Sequence, residues 1–430
     1  MKTVIMAGGK GSRIAAVRSD IPKPLMPIDG IPVLEREISS LVSQGFDDII
    51  ITVSHLGHKI IDYFGDGSGC SSITGKPFNA KITYFVEDTP LGNAGALFQI
   101  KDQLTDDFLL LNADAVFDID FKRFVRAHYE FGGLVTLFVH GNSHPYDSGL
   151  LITDENNSVL EWLTKEDKRP EWYFNCVNAG LHVVNKQVLE QVIDTPKIDL
   201  DRQILKPLAG KNKMFVYNSP EYVEDMGTPE RYEKVQRACK NGLLNARNLL
   251  NKQKAIFIDR DGTINKYIPF LNSIAEFELI PGVSDAIKKI NESGYLAIVV
   301  TNQPVIARGE LTIHELSEMH KKMETLLGLE GCYINDIFVC PHHPDKGFEG
   351  EVEALKIDCN CRKPKPGLLL AAAEKYNIDL TQSWMIGDSP CDVEAGNQAG
   401  CYTAYIGKED NGQKLTVSSL KDFIDQVIGG

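Results

Sequence analysis

The chain has 430 residues, of which 43% are apolar and 24% are charged, so a domain of ordinary composition can bury a core. With 45 basic against 59 acidic residues the net charge is −14, which argues against nucleic acid as a partner but not against local phosphate sites. No apolar run approaches the ~18 residues of a membrane span, and nine scattered cysteines fit a reducing compartment. We expect a cytoplasmic protein of two or three domains that does not bind membranes.

Short apolar runs alternate with helix-like stretches in the N-terminal half. Strands are predicted at Thr3–Ala7, Asp47–Val53, Phe108–Asp114 and Leu134–Val139. Such runs are typical of a parallel sheet with helices on both faces, where ligands bind beyond the carboxyl ends of the strands. A polar stretch without proline, 231–254, predicts a closing helix and a connection. We therefore predict domains at 1–240 and 254–430 with a linker at 241–253.

A glycine loop, AGGKGSR, follows the first predicted strand. Gly8, Gly9 and Gly11 allow backbone N–H groups to approach phosphate oxygens, and Arg13 adds a charge-assisted contact. The loop is neither a Walker A motif, because no Gly-Lys-Ser/Thr ends it, nor the dinucleotide GxGxxG. Its pattern alone is also compatible with a plain strand–helix turn.

Other segments of this half supply charged residues and a second glycine turn that could act together with the glycine loop. Lys23 lies between two prolines that fix the backbone around it, and TPLGNAGAL forms a second glycine turn. Asp114 ends a strand, and Asp225 precedes a Gly-Thr-Pro helix start. Two such carboxylates that meet at one Mg²⁺ would suit a site next to a triphosphate.

Together AGGKGSR, IPKPLMPIDG, PLGNAGAL, NAD and DMGTPERY resemble the sugar-1-phosphate nucleotidyltransferases, above all the mannose- and D-glycero-α-D-manno-heptose-1-phosphate guanylyltransferases. The resemblance implies a Rossmann-like, GT-A-like domain that uses Mg²⁺, a sugar phosphate and GTP or another NTP. It implies triphosphate contacts at the glycine loop and Arg13, a phosphate contact at Lys23, and Mg²⁺ at Asp114 and Asp225. It also implies base or sugar contacts at Gly92, Lys165, Asn178 and Gly180. Thr164 replaces the family's Glu before Lys165, and Ala113 replaces a common Gly before Asp114.

The second half begins again with an apolar run, Ala255–Ile258, followed by DRDGT. Asp259 and Asp261 can share Mg²⁺ and divide the roles of nucleophile and proton donor, although an acidic turn has the same pattern. Further strands are predicted at Leu296–Asn302, Asp336–Cys340 and Ser383–Asp388, with helices at 311–328 and 368–377.

Polar residues follow these strands as well. Thr301 and Asn302 are donors for phosphate, Lys363 is a neutralising cation, and Asp388 is a further carboxylate for Mg²⁺. The order Asp-x-Asp-Gly-Thr, Thr-Asn, Lys-Pro, Gly-Asp resembles the haloacid-dehalogenase (HAD) type phosphatases over about 254–430. This resemblance implies a HAD-like Rossmannoid fold, Asp259 as nucleophile and Asp261 as general acid and base. Mg²⁺ would sit on Asp259, Asp388 and the backbone carbonyl of Asp261.

DRDGT further resembles the D-glycero-D-manno-heptose 1,7-bisphosphate and histidinol-phosphate phosphatases. Their Thr-Asn-Gln loop implies substrate contacts at Gln303 and Arg308, and we add Arg362 beside the catalytic lysine. Pro304 and Val305 replace an expected Ser-Gly in that loop.

Close Cys/His pairs lie between two of these motifs. Cys340-x-His342 and Cys359-x-Cys361 provide three thiolates and one imidazole, which suit a closed, structural tetrahedral Zn²⁺, with His343 as the competing ligand. The phosphatase subgroup carries such a zinc loop, so the resemblance implies the same ligands here.

The leading hypothesis is a fused enzyme that removes the 7-phosphate from a heptose 1,7-bisphosphate and transfers GMP to the resulting heptose 1-phosphate. One alternative is a hexose-1-phosphate nucleotidyltransferase fused to a histidinol-phosphate-type phosphatase. In another, one half is a non-catalytic binding domain. Whether the chain forms a homo-oligomer is left open.

Overall fold

The computed structural model describes residues 1–9, 20–190 and 197–429, and their contacts divide the chain into two compact units. The first unit holds 1–140, 149–164 and 178–248, and the second holds 141–148, 165–177 and 249–430. Two short segments of the N-terminal half are therefore grouped with the C-terminal half. The domain ranges 1–240, 241–253 and 254–430 stay a prediction. No helix within the described residues is both long enough and apolar enough to cross a membrane.

The first unit is built on a sheet of mixed direction. The strands of the whole unit are β1 Lys2–Ala7, β2 Pro27–Ile28, β3 Ile31–Pro32, β4 Asp48–Val53, β5 Lys81–Val86, β6 Asp107–Asn112, β7 Ala115–Asp118, β8 Val135–His140, β9 Leu150–Thr153, β10 Val159–Leu163, β11 Val177–Asn185, β12 Met214–Asn218 and β13 Tyr222–Asp225. Its helices are α1 Val33–Ser43, α2 Gly57–Phe64, α3 Gly95–Ile100, α4 Phe121–Phe131, α5 Pro229–Lys240 and α6 Leu243–Ala246.

Parallel strands form the centre of this sheet. β1 lies between β4 and β6, parallel to both, and β11 runs antiparallel beside β6. The central strands are buried on both faces, which explains their nearly unbroken apolar sequences such as FLLLN. The carboxyl ends of β1 and β6 lead into the glycine loop and Asp114, so both motifs reach one edge of the sheet.

The second unit has a wholly parallel sheet in the order β16-β15-β14-β17-β18-β19. Its strands are β14 Lys254–Ile258, β15 Tyr295–Asn302, β16 Asp336–Cys340, β17 Trp384–Gly387, β18 Tyr402–Ile406 and β19 Leu415–Val417. Its helices are α7 Val283–Asn291, α8 Pro304–Ala307, α9 Ile313–Leu329, α10 Gly367–Tyr376, α11 Pro390–Ala399 and α12 Leu420–Val427. Apolar clusters on both faces of the sheet form the core, as the predicted α/β class requires.

Helix α9 is covered by the segment 165–177. The backbone N–H of Tyr173 donates to Thr325 Oγ1 at 2.9 Å, and the same hydroxyl donates to the Tyr173 carbonyl at 3.0 Å. The N–H of Asn175 donates to Glu324 Oε2 at 2.7 Å. These contacts satisfy backbone groups of the segment with side chains of the helix.

Replacing Glu324 with glutamine should reduce the pH dependence of stability of the second unit. Burial raises the pKa of Glu324 from 4.5 to about 8, so between these values the folded chain binds more protons than the unfolded chain. The free energy of unfolding then falls as pH rises through this window, by on the order of 4 kcal/mol. Glutamine keeps an acceptor for Asn175 without the charge. Thermal unfolding at pH 5 and pH 8.5 measures the effect.

The matched control is Glu330→Gln, at the exposed end of the same helix. It should unfold with the pH dependence of the wild type. An E324Q variant whose melting temperature drops between pH 5 and pH 8.5 as much as that of the wild type would contradict the prediction.

Candidate active sites

A lysine joins two carboxylates at the carboxyl end of β14. Lys363 Nζ lies 2.7 Å from Asp259 Oδ1 and 2.6 Å from Asp392 Oδ1, and it donates to the carbonyl of Val300 at 2.8 Å. All three charged side chains are buried. Because three acceptors surround one ammonium, Lys363 is held with its charge directed at Asp259.

Negative charge exceeds positive charge around this lysine, and the pKa values of the neighbouring carboxyl groups and of the lysine itself are shifted as a result. Burial and the nearby Asp392 raise the pKa of Asp259 to about 7, and burial and Asp259 raise that of Asp388 to about 6. Burial disfavours the charged form of Lys363, but the Asp259 and Asp392 carboxylates outweigh it and raise the lysine pKa. The site therefore favours an additional positive charge next to Asp259.

Three carboxylates form a candidate cation site here. One oxygen each of Asp259, Asp388 and Asp392 lies within 4.8 Å of the others. Such a set of hard oxygen donors fits Mg²⁺. Gly262, with φ +80°, lies against them, because a Cβ at this position would stand 1.9 Å from Asp388 Oδ2. The glycine of DRDGT therefore allows this close approach.

Asp392 is a site residue that the sequence analysis did not single out. It lies in the first turn of α11, where its Oδ2 accepts the Ser389 N–H at 3.1 Å in a capping box. The sequence does show an acidic residue four positions after the Asp of Gly-Asp. Helix capping alone, however, is a sufficient reason for an acid at that position. Only its contact with Lys363 distinguishes it from an ordinary cap.

Asp261 is held by donors on all sides. Its carboxylate accepts hydrogen bonds from Arg260 NH2 at 2.9 Å, Asn265 Nδ2 at 3.0 Å and Gln303 Nε2 at 2.8 Å. Burial alone would raise its pKa, but the Arg260 guanidinium and the hydrogen bonds from Asn265, Arg260 and Gln303 together outweigh burial and lower the pKa. Arg260 is itself fully buried and contacts His320 Nε2 through NH1 at 3.2 Å. The second carboxylate is thus oriented and ionised.

The loop after β15 connects to the lysine. Asn302 Nδ2 donates to the Lys363 carbonyl and Asn302 Oδ1 accepts the Lys363 N–H, both at 3.0 Å. Gln303 Nε2 also donates to Thr301 Oγ1 at 2.8 Å. Pro304 begins α8 at its first position, where its missing N–H costs nothing.

A pocket of about 180 Å³ opens between these groups. It is lined by Asp259, Asp261, Tyr267, Ile268, Phe270, Leu271, Asn302, Gln303, Pro304, Val305, Lys363, Asp388, Ser389, Cys391 and Asp392. Pro304 and Val305, which replace the Ser-Gly expected in this loop, therefore form part of the pocket wall. Carboxylates, a lysine, amide side chains and apolar side chains in one pocket suit a phosphate ester.

Two predicted substrate contacts, Arg308 and Arg362, are not among these lining residues. Arg308 is stacked between the rings of Phe270 and Phe348, 3.9 and 4.4 Å from their centroids, and pairs with Glu310 at 2.7 Å. Arg362 NH1 donates to the carbonyl of His342 at 3.2 Å. Their roles toward substrate stay predictions.

Three thiols and an imidazole converge after β16. The Cys340, Cys359 and Cys361 sulfurs are 3.3–3.5 Å apart, and His342 Nδ1 is 3.2 Å from the Cys361 sulfur. Ligands of a tetrahedral Zn²⁺ are separated by about 3.3–3.8 Å, so the four atoms fit this ion. The competing candidate, His343, accepts the Asp345 N–H at 3.2 Å instead.

The first unit has a cleft of about 500 Å³ beyond the ends of β1 and β6. Among its lining residues are the predicted positions Gly8, Gly9, Lys23, Gly92 and Asp114. A larger set completes the wall, namely Met6, Ala7, Pro24, Thr52, Ser54, Glu87, Pro90, Asn93, Asn112, Ala113 and Gly227. Glycine backbone, a lysine and a carboxylate in one cleft suit a nucleotide with its metal.

Asp114 and Asp225 are brought together by strand pairing. β13 runs antiparallel to β7 with Asp225 opposite Ala115, and the Met226 N–H donates to the Asp114 carbonyl at 3.1 Å. Lys23 Nζ lies 2.9 Å from Asp114 Oδ2, while Asp225 pairs with Arg231. Strand pairing thus places two acidic residues, whose oxygens are of the kind that Mg²⁺ binds, at neighbouring backbone positions, and Asp225 is not among the residues that line the cleft.

The remaining predicted positions are not among the lining residues. Gly11 and Arg13 lie outside the described residues. Asn178 Oδ1 accepts hydrogen bonds from the Gly180 N–H and has His182 Nε2 at the same distance, 3.2 Å. Lys165 is exposed and belongs to the segment grouped with the second unit. Their roles stay predictions.

Folds and sites together define the class, an enzyme with two phosphoryl-group sites on two α/β units. Residues 2–242 match the family model for nucleotidyl transferases, and residues 360–421 match the HAD-hydrolase-like model. The D-glycero-beta-D-manno-heptose-1,7-bisphosphate 7-phosphatase of Salmonella typhi is 40% identical over 177 residues, 39% of this chain and 92% of that protein. The D-glycero-alpha-D-manno-heptose-1,7-bisphosphate 7-phosphatase of Photorhabdus laumondii is 40% identical over 158 residues, 37% of this chain and 84% of that protein.

The chain therefore belongs to the nucleotidyl transferase family and, in its phosphatase part, to the heptose-bisphosphate 7-phosphatases. Among solved structures, HddC from Yersinia pseudotuberculosis is 26% identical with a TM-score of 0.47, covering 55% of this chain and 99% of that chain. The predicted fusion of a nucleotidyltransferase and a HAD-type phosphatase is confirmed, as is the two-domain α/β class.

Proposed function

We propose that this chain catalyses two consecutive steps, removal of the 7-phosphate from a D-glycero-D-manno-heptose 1,7-bisphosphate and transfer of GMP to the heptose 1-phosphate. The observation that carries the proposal is the pairing, in one chain, of a nucleotidyl transferase with relatives named heptose-bisphosphate 7-phosphatases. The product of the second site is a sugar 1-phosphate, which is the substrate class of the first.

In the phosphatase site, Asp259 is the nucleophile. Its carboxylate oxygen attacks the 7-phosphorus while the bond from phosphorus to the C7 oxygen breaks, and Asp261 gives the leaving alkoxide a proton. The lowered pKa of Asp261 rises when the phosphate anion binds beside it, because like charges favour the protonated form. Asp261 then takes a proton from the water that hydrolyses the aspartyl phosphate. Lys363 neutralises the phosphoryl oxygens throughout.

In the transferase cleft, an oxygen of the sugar 1-phosphate attacks the α-phosphorus of GTP and pyrophosphate leaves. This reaction needs alignment and charge neutralisation more than proton transfer. Gly8 and Gly9 offer backbone to the triphosphate, and Lys23 offers a cation. Mg²⁺, held by Asp114 and Asp225 here and by Asp259 and Asp388 in the other site, would neutralise phosphate charge when bound.

The test is a reaction with purified bisphosphate, Mg²⁺ and GTP. We expect phosphate, pyrophosphate and GDP-heptose, and without GTP we expect phosphate alone. A panel with histidinol phosphate, hexose 1-phosphates and other NTPs examines the alternatives. Phosphate release without a nucleotide sugar from any NTP would refute the proposal.

A further inference from the structure

A fully buried arginine lies behind the carboxylate that exchanges protons in the phosphatase site. Arg260 is 0% exposed, and its NH2 nitrogen donates to both oxygens of Asp261, at 3.0 and 2.9 Å. Asn265 and Gln303 each contact one of these oxygens, so Arg260 is the group that spans the carboxylate. A shift of this guanidinium would therefore turn the Asp261 carboxylate.

A side chain from a distant helix holds the other end of the guanidinium. His320 lies on α9 and is buried, and its Nε2 is 3.2 Å from Arg260 NH1. Because a guanidinium can only donate, Nε2 is the acceptor, and the neutral ring carries its proton on Nδ1. Among the residues that the structure describes, the Arg260 side chain has no hydrogen-bond partner besides His320 and Asp261, and its Nε is buried without one. The orientation of the guanidinium thus depends on these two contacts.

Helix α9 keeps the imidazole in a fixed place. Thr312 and Glu315 cap the start of the helix with reciprocal hydrogen bonds. Leu316 and Met323, which share the helix face of His320, are buried in the apolar core of the unit. A close-packed core leaves a side chain at this position little freedom, so the support for the guanidinium exists before a substrate binds.

A buried contact between histidine and arginine could serve stability alone, by giving a buried N–H group its acceptor. The second contact of the same guanidinium favours a role in the reaction. It is made to the carboxylate of Asp261, and proton transfer requires that carboxylate to lie within hydrogen-bond reach of the leaving oxygen. The contacts from His320 through Arg260 therefore end at the group that carries the proton.

We propose that His320 is a positioning residue of the phosphatase reaction. Through Arg260 it sets the direction in which Asp261 gives its proton to the C7 oxygen, while the bond from phosphorus to that oxygen breaks and the bond from phosphorus to the nucleophile forms. The inference rests on the proposed phosphatase reaction and adds a residue that is not among those lining the pocket.

The test compares two phosphate esters whose leaving groups differ in their need for a proton. The C7 alkoxide of the heptose bisphosphate is a strong base that must be protonated as it leaves, whereas 4-nitrophenolate leaves unprotonated. The ratio kcat/KM covers the steps up to the aspartyl phosphate and so isolates this proton transfer. His320→Leu removes the acceptor and should lower kcat/KM about 10-fold to 100-fold for the bisphosphate, but less than about 3-fold for 4-nitrophenyl phosphate.

His320→Gln is the conservative variant, because its amide oxygen reaches the position of Nε2 and can accept from Arg260 NH1. It should keep kcat/KM for the bisphosphate within about 3-fold of the wild type. His320→Asn is shorter by one methylene and should behave like H320L, which it replaces if the leucine variant does not fold. His314→Leu, at an exposed position of the same helix, is the matched control and should keep the wild-type values for both esters.

An equal loss for the two esters in H320L would mean that His320 supports the fold alone, and it would overturn the inference while the phosphatase activity stands. Full activity of H320L toward the bisphosphate, or a glutamine variant as slow as the leucine variant, would overturn it as well. A wild type that hydrolyses 4-nitrophenyl phosphate but not the heptose bisphosphate would instead refute the proposed substrate, and a simple alkyl phosphate would then take its place in the comparison.

Discussion

Replacing Asp259 with asparagine should reduce phosphate release from the heptose bisphosphate by about 10⁴-fold or more and leave nucleotidyl transfer unchanged. The amide has nearly the shape of the carboxylate, but it cannot form the covalent intermediate with phosphorus. Phosphate release and, with heptose 1-phosphate supplied directly, pyrophosphate release measure the two activities separately.

The same variant should not lose stability. Burial and the neighbouring Asp392 raise the pKa of Asp259 to about 7, so its ionised form is disfavoured in the folded chain. An uncharged amide removes that repulsion, and the melting temperature should stay equal or rise. Asp114→Asn is the reciprocal control and should abolish transfer only. A D259N enzyme that keeps more than a tenth of its phosphatase activity would refute the assignment of the nucleophile.

Replacing Cys359 with serine should remove zinc and lower phosphatase activity about 10-fold to 100-fold. The four ligand atoms lie at zinc-like separations, and Arg362 and Lys363 follow the last of them directly. Loss of the ion would free this end of the loop and with it the ammonium that faces Asp259. Metal analysis and phosphate release on one preparation measure both effects.

Two controls separate zinc binding from general thiol chemistry. His343→Ala should keep stoichiometric zinc, because His343 is not part of the cluster, and Cys70→Ser alters an exposed cysteine of the first unit. Full zinc content together with full phosphatase activity in C359S would contradict the proposed role.

The class and many motif positions follow from local sequence. Apolar runs such as Ala255–Ile258 are long enough to be buried on both faces, and the first run of each half is followed directly by Gly8 or Asp259, so strands with candidate sites at their carboxyl ends were predictable. The pattern Cys340-x-His342 with Cys359-x-Cys361 was similarly informative, because few roles require those residue types at that spacing.

Other features depend on which side chains meet in space. Asp392 has the sequence of an ordinary helix cap, and its contact with Lys363 arises because α11 begins beside the loop that carries the lysine. Glu87 is one acid among many until the fold places it among the residues that line the cleft of the first unit.

By itself, then, the sequence determined two α/β units and the motifs at their strand ends, since burial periodicity and turn residues are local properties. The tertiary structure alone decided that Asp259, Lys363, Asp388 and Asp392 meet and that Glu87 is among the residues that line the cleft of the first unit. These arrangements depend on distances between residues far apart in the chain, which helix and strand packing sets and sequence spacing does not encode.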